Sequence, residues 1–185
     1  ADPTGSLELT DVTATAGNTG SSMIDNWGTL TIQSGTYTGG LNTVKSEPSS
    51  TLTINGGNFS TDVYSSAGYT GVILNYGHAV LNDGTFASTG TGKYGYTTAV
   101  IASPDNKENP TTTTVIKGGI YTVANTRSTL SVRTIGSASS ILEIYAGSFN
   151  PKPYSYSIAP GYAVAPKAST DQYYTVAPAK KVTVN

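Results

Sequence analysis

The residues that could carry catalysis lie far apart in this sequence. Enzymes that cleave polysaccharides place two or more carboxylates side by side, with a basic group near them. When the repeats described below are aligned, Asp83 falls beside glycines and Glu143 beside Thr and Val. His78, the single histidine, aligns with threonines and has neither a nucleophile nor an orienting acid beside it. These residue types therefore predict that the protein is not an enzyme.

Metal and cofactor chemistry has equally little support in the sequence. The chain contains no cysteine, which excludes disulfides, thiol nucleophiles and cysteine-ligated metals. Calcium-binding repeats need clustered aspartates in a Gly-rich nonapeptide, and that motif is absent. We expect no metal and no cofactor.

Aromatic side chains are the better candidates for a functional role. Residues 61–70 and 87–98 read as loops rich in Gly, Ser, Thr and Tyr, a composition typical of recognition loops. Two further aromatic residues occupy matching Asn-x-Gly turns. The predicted binding residues are Tyr64, Tyr69, Tyr94, Tyr96, Trp27 and Tyr76. The alternative is that these rings only cover the edge of the core.

The composition indicates which elements must hold these residues. Of the 185 residues only 11% are charged, against ~25% in average proteins, and 21 are glycine. Helices favour charged residues, Ala and Leu, so this balance indicates strands. The net charge of −1 gives no basic field for nucleic acid, and no apolar run is long enough for membrane insertion.

A repeat organises most of the chain. Residues 28–37 read Gly-Thr-Leu-Thr-Ile-Gln-Ser-Gly-Thr-Tyr, and related segments recur at 50–59, 77–86, 112–121 and 140–149. Within each copy apolar residues alternate with polar ones, the pattern of a strand with one buried face. A glycine follows each strand, and an aromatic residue stands two positions after it. A second apolar stretch precedes each copy, so each repeat contains three strands.

Such repeats must stack, because one copy cannot bury its apolar face alone. The marker glycines lie 22, 27, 35 and 28 residues apart, which fits parallel coils with loops of variable length. The predicted fold is all-β, a right-handed parallel β-helix of about six coils. We assign residues 1–6 to a processing or cloning remnant, 7–150 to the coils and 151–185 to a C-terminal capping segment.

The pattern of residues 24–37 resembles the β-helix repeats of surface proteins from Gram-positive gut bacteria, and similar repeats occur in some phage virion proteins. The tail, with Pro-rich residues from 150 and a final Tyr-Thr-Val strand, is similar to the end of those domains. The resemblance implies an extracellular module, surface-displayed or secreted. From the tyrosine-rich loops we predict adhesion to a host glycoprotein or glycan, with immunoglobulin as one candidate partner, by a monomer rather than a trimer. A structural virion protein and a carbohydrate-active enzyme are the alternatives.

Overall fold

The protein is all-β, with three sheets built mainly from parallel strands. The computed structural model describes residues 2–17, 20–63, 69–91, 96–103, 111–135 and 140–180. Strands are numbered in chain order, and the sheets are called A, B and C.

Sheet A contains six strands: β1 (Ser6–Leu9), β4 (Thr29–Ile32), β7 (Thr51–Ile54), β10 (His78–Leu81), β13 (Thr112–Ile116) and β16 (Ser140–Ile144). Sheet B contains β2 (Val12–Ala16), β5 (Gly35–Gly39), β8 (Asn58–Thr61), β11 (Thr85–Ser88), β14 (Ile120–Val123), β17 (Gly147–Asn150), β19 (Tyr174–Pro178) and β18 (Tyr162–Val164). Sheet C contains β3 (Ile24–Asn26), β6 (Val44–Ser46), β9 (Tyr69–Asn75), β12 (Tyr96–Ala102) and β15 (Val132–Thr134). One 3₁₀ turn spans Ser155–Ser157.

The chain passes through sheets A, B and C in that order five times, and then a sixth time through A and B. Each strand from β1 to β14 pairs in parallel with the strand three places later, so every repeat lies directly on the one before it. The prediction of parallel, stacked three-strand repeats is confirmed. His78 pairs with Thr51 and Thr113, the register that the sequence alignment assigned to it.

Two columns of side chains form the centre of the core. Alternating residues of sheet A, such as Leu30 and Ile32, are completely buried. Opposite them, five aromatic rings of sheet B stack face to face with centroids 4.8 to 5.2 Å apart. The stacked rings belong to Tyr37, Phe59, Phe86, Tyr121 and Phe149. The period of two in the sequence becomes a continuous apolar interior because identical positions superimpose from one repeat to the next.

The marker glycine between sheets A and B is required by its backbone conformation. Gly84 has a φ of 129°, a region that side chains with a Cβ rarely adopt, and the equivalent glycines have φ between 97° and 131°. A Cβ on Gly84 would also lie 3.1 Å from the carbonyl oxygen of Gly57 and 3.2 Å from the Phe86 ring. The turn thus brings each aromatic residue into the stack.

The last part of the chain reverses direction twice on sheet B. Strand β19 pairs antiparallel with β17, and β18 pairs antiparallel with β19. Val176 of β19 is buried against the core cluster, and Ile158 forms a bridge with Ile144 of sheet A. Residues 151–180, called the cap segment below, therefore cover much of this end of the stack.

At the other end, Ser6 already belongs to β1, and a tight turn of residues 2–5 precedes it. The backbone of that turn lies against Gly28, and the Gly5 carbonyl accepts a hydrogen bond from the Thr29 amide. The assignment of residues 1–6 to a remnant stays a prediction.

Candidate binding sites

The tyrosine-rich segments each connect a strand of sheet B to the next strand of sheet C. The structure corrects their bounds: β8 ends at Thr61 and β11 at Ser88, while β9 begins at Tyr69 and β12 at Tyr96. Tyr69 and Tyr96 are therefore strand residues, because the parallel pairing of β9 with β12 begins at these two residues. Tyr64 and Tyr94 lie outside the described residues.

The corner between sheets C and A holds the two predicted Asn-x-Gly turns. The buried Asn75 accepts a hydrogen bond from the Gly77 amide and donates to the carbonyl of Thr113, 2.9 Å away. Asn26 does the same at its own corner, accepting from Gly28 and donating to the carbonyl of Thr51. Each asparagine thus ties its turn to the next repeat, and the residue between Asn and Gly projects outward.

Those outward residues are Trp27 and Tyr76. The Trp27 side chain is 50% exposed, while Tyr76 is half-buried, with the Lys45 ammonium 5.6 Å from its ring centroid. Lys45 also forms an ion pair with Glu47. Burial lowers the pKa of Lys45, but the hydrogen bond and charge of Glu47, with Asp25 and Tyr76, outweigh it and raise the pKa. Lys45 thus stays charged and covers part of the Tyr76 ring.

A concavity of the described chain lies where the sixth repeat has no strand in sheet C. Residues 129–130, just before β15, face the cap segment across a groove of about 440 Å³. This space, called the end groove, is lined by Thr129, Leu130, Lys152, Pro153, Tyr154, Ser155, Val164 and Tyr174. Its walls are mostly apolar and aromatic, with hydroxyl groups and one lysine among them, which is the composition of a small-ligand site.

One further cation and one further ring contact the aromatic lining of the end groove. The Lys167 ammonium lies 5.2 Å from the Tyr174 ring centroid, and Tyr154 makes an edge contact of 5.3 Å with Tyr156, which is 86% exposed. Sequence reasoning assigned this segment to capping alone and missed the groove. The available signal was five tyrosines within residues 154–174 beside the lysines.

The end groove lies on the same corner as the tyrosine-rich segments. The chain crosses from sheet B to sheet C at 62–68, at 89–95 and again at 124–131, in three successive repeats. The Thr97 amide near the start of β12 donates a hydrogen bond to Ser128 Oγ, which joins β12 to the third of these crossings. The start of β12 therefore lies beside the segment that borders the groove.

The residues considered for catalysis have local structural partners. His78 Nδ1 lies 2.7 Å from Thr113 Oγ1, and Asp83 accepts a hydrogen bond from the Gly84 amide. Tyr145 donates a hydrogen bond of 2.9 Å to Glu143. That hydrogen bond, with burial and the Glu143 charge, raises the pKa of Tyr145.

Among the described residues, no group of three or more His, Asp or Glu side chains is placed to hold a metal ion. No helix in the same part of the chain is long and apolar enough to cross a membrane. Comparison with protein-family models, with curated proteins and with solved structures finds no match. The fold class therefore rests on the pairing of the strands themselves.

Proposed function

We propose that the chain is a non-enzymatic binding module, displayed outside the cell, that recognises a glycan on a host glycoprotein. Its scaffold would be a right-handed parallel β-helix of about six coils, because crossovers between parallel strands are right-handed in nearly all proteins. Immunoglobulin, a glycoprotein, is one candidate carrier. The resemblance to bacterial surface repeats supports this class of function.

The end groove is the observation that carries the proposal. Sugar rings present apolar C–H faces and polar edges, so their sites combine aromatic rings with hydroxyl groups and charges. Tyr154 and Tyr174 supply rings, Thr129 and Ser155 supply hydroxyls, and Lys152 supplies an exposed ammonium. A longer glycan would extend from the groove along the corner towards the tyrosine-rich segments. Tyrosine loses little conformational entropy when a ligand fixes it, so the predicted tyrosines would add contact area to a long glycan.

The test is a glycan array probed with the labelled protein, followed by calorimetric titration of the strongest ligand. Tyr174→Ala should weaken binding about tenfold, the effect of losing one stacked ring, while Tyr174→Phe should retain most of it. Lys152→Ala changes an exposed side chain and tests the groove without disturbing the cap segment. Normal thermal unfolding of each variant is the control for folding.

Two further variants locate the site if the groove is not used. Trp27→Ala alters an exposed ring on another corner and should leave binding unchanged. Replacing Tyr64, Tyr69, Tyr94 and Tyr96 with Ala should weaken binding of long glycans without changing the far-UV circular dichroism. Full binding by Tyr174→Ala and Lys152→Ala, with loss in Trp27→Ala, would overturn the groove assignment.

A capture experiment separates glycan from polypeptide recognition. The protein should retain glycoproteins from mucosal secretions, and enzymatic removal of their glycans should abolish the capture. Capture that survives deglycosylation contradicts the glycan proposal and favours a protein surface such as an immunoglobulin domain.

The structural alternative, a virion fibre or decoration protein, is favoured by the stack itself. Repeats superimposed strand on strand form a stiff rod that needs no ligand to be useful. A carbohydrate-active enzyme has less support, since His78, Asp83 and Glu143 are engaged by Thr113, Gly84 and Tyr145. Turnover of an acidic polysaccharide that is lost in Asp83→Asn would establish that alternative.

A further inference from the structure

In the part of the chain that the structure describes, sheet B has an open edge at each end. Within the described chain, β2 pairs only with β5, and β18 pairs only with β19. An unpaired strand edge exposes backbone donors and acceptors that can pair with another strand. On β18 one donor is already engaged, because the Tyr162 amide donates to the Ala159 carbonyl. Sheets A and C are less open at the C-terminal end, because Ala159 donates to the Ile144 carbonyl and Ser131 to the Lys152 carbonyl.

The cap segment restores the strand direction of the sheet. Strand β19 runs antiparallel to β17, and β18 runs antiparallel to β19, so β18 points the same way as β17. All strands from β2 to β17 in sheet B are parallel. A second copy in the same orientation would therefore place its β2 parallel to β18, as one more step of the stack.

Side chains at the two ends match this arrangement. The hydrophobic residues that are only partly buried against the core lie at the ends of the stack. They are Leu9, Val12, Ala14, Met23 and Ile24 at one end and Ile158, Tyr162, Val164 and Tyr174 at the other. Contact between the ends would bury both sets, which is the main source of favourable free energy in association.

The charges of the ends are opposite. Residues 2–44 contain four acidic residues and no Lys or Arg, although one of the acids, Asp25, lies in register with Lys45 of β6. Residues 145–180 contain three lysines and one acid. Asp11 immediately precedes β2, and Lys167 follows β18 by three residues. Lys180 follows Ala179, whose amide donates to the Gly161 carbonyl just before β18. Charge therefore favours head-to-tail contact and opposes head-to-head contact.

We propose that this protein associates head to tail with further copies of itself, by parallel pairing of the β2 edge with the β18 edge. Because the contact joins two different surfaces, it repeats without closing and produces linear chains of copies. Pro160 and Pro166 bound β18 on both sides, so the paired segment is short and the association is weak and concentration-dependent. The proposal does not rest on the glycan ligand, but the contact would bury Val164 and Tyr174 of the end groove, so self-association and glycan binding would compete for that groove.

Sedimentation velocity over a range of protein and salt concentrations tests the contribution of the opposite charges to association. Association should weaken about tenfold between 0.01 and 0.15 M salt, since the Debye length falls from about 30 to about 8 Å. The isosteric pair Glu8→Gln and Asp11→Asn should weaken association at low salt, as should Lys167→Gln with Lys180→Gln. A control pair in the middle of the stack, Asp62→Asn with Lys117→Gln, should have no effect.

Cross-linking tests the geometry, because the natural chain has no cysteine. Residues in register across sheet B form a column that begins at Thr13 and reaches Ser148 and then Thr175. Ala165 extends this column by one residue, because its amide donates to the Thr175 carbonyl. A second copy's Thr13 would lie beside Ala165, about 4.8 Å away, within reach of a disulfide. Mixing the Thr13→Cys and Ala165→Cys proteins under mild oxidation should give mixed dimers in excess of either homodimer.

A protein that stays monomeric at low salt and high concentration would overturn the proposal. So would equal loss of association in the control pair, or a predominance of Thr13→Cys homodimers, which indicates head-to-head contact. Glycan binding by isolated copies is measured separately, so failure of this proposal leaves the ligand proposal intact.

Discussion

At the scale of single residues, buried hydroxyl groups distinguish positions that otherwise look interchangeable. Tyr121 and Phe86 occupy equivalent places in the aromatic stack, but Tyr121 donates a hydrogen bond of 2.8 Å to the Gly118 carbonyl. Burial, and to a smaller degree the charge of Asp83, raises the pKa of Tyr121 well above its usual value. Tyr37 donates similarly to Ser34, and burial with the charge of Asp11 raises its pKa.

These pKa values predict how stability changes in alkali. A raised pKa in the folded state means that the unfolded chain loses its proton first, near pH 10. The contribution of Tyr121 to the free energy of unfolding is therefore complete below pH 10, and it declines as the pH rises towards the pKa of Tyr121 in the folded state. Tyr121→Phe should lower the free energy of unfolding at pH 7 by about 1 kcal/mol, through the lost hydrogen bond. The substitution should also reduce the fall in the free energy of unfolding between pH 9 and 11, measured by denaturant titration.

The exposed Tyr156 supplies the control for this prediction, since Tyr156→Phe should change neither the neutral-pH stability nor its alkaline decline. If Tyr121→Phe lost as much stability between pH 9 and 11 as the unsubstituted protein, the role given to the buried hydroxyl would be contradicted.

At the scale of elements, the turn between sheets A and B determines where each aromatic residue lies. Its glycine adopts a positive φ in five successive repeats, and the preceding side-chain amides form a ladder on the surface. In that ladder Asn82 donates to Asn55, Asn55 to Gln33 and Gln33 to Glu8, and each hydrogen bond is 2.7 Å long. The turn is thus held by backbone conformation inside and by hydrogen bonds outside.

Gly84→Ala tests the importance of this turn. The substitution should destabilise the protein by on the order of 1–3 kcal/mol, because the backbone is strained for any residue with a Cβ and the space is occupied. Gly17→Ala is the matched control: a Cβ there meets nothing within 4 Å, so the change should stay within about 0.5 kcal/mol. Thermal and chemical unfolding of both variants would measure the difference, and equal effects would contradict the argument.

At the scale of the whole molecule, the two ends of the stack differ. One end carries the cap segment, and the other exposes the edges of β1, β2 and β3 within the described chain. In a stacked architecture each repeat is stabilised only by its neighbours, so the terminal repeats and their covering segments control cooperativity. The same asymmetry gives the molecule an acidic and a basic end, which is the basis of the head-to-tail association proposed above.

Val176→Asp should release the cap segment. Val176 is 4% exposed and packs on the core, so a carboxylate there would be buried without a partner, at a cost of on the order of 3 kcal/mol or more. Ala177→Asp places the same charge on the adjacent exposed residue and should leave stability nearly unchanged. Limited proteolysis should cut Val176→Asp within residues 151–180 first. Resistance equal to that of Ala177→Asp would show that the cap segment is not held by this contact.

The sequence by itself determined the repeating part of the protein. Alternating Leu30 and Ile32, the glycine at 35 and the ring at 37 recur with the same spacing, and a local period is sufficient to identify strands, turns and the register of their stacking. It also placed Trp27 and Tyr76 at equivalent corners. Only the tertiary structure decided that Tyr69 and Tyr96 begin strands, that residues 129–130 face Tyr174 across a groove, and that β18 regains the direction of β17. The first arises in a Gly-Tyr-Thr stretch that two repeats share, where the sequence does not mark the residue at which pairing begins. The other two arise in segments that do not repeat, where the chain path depends on long-range packing that no local pattern encodes.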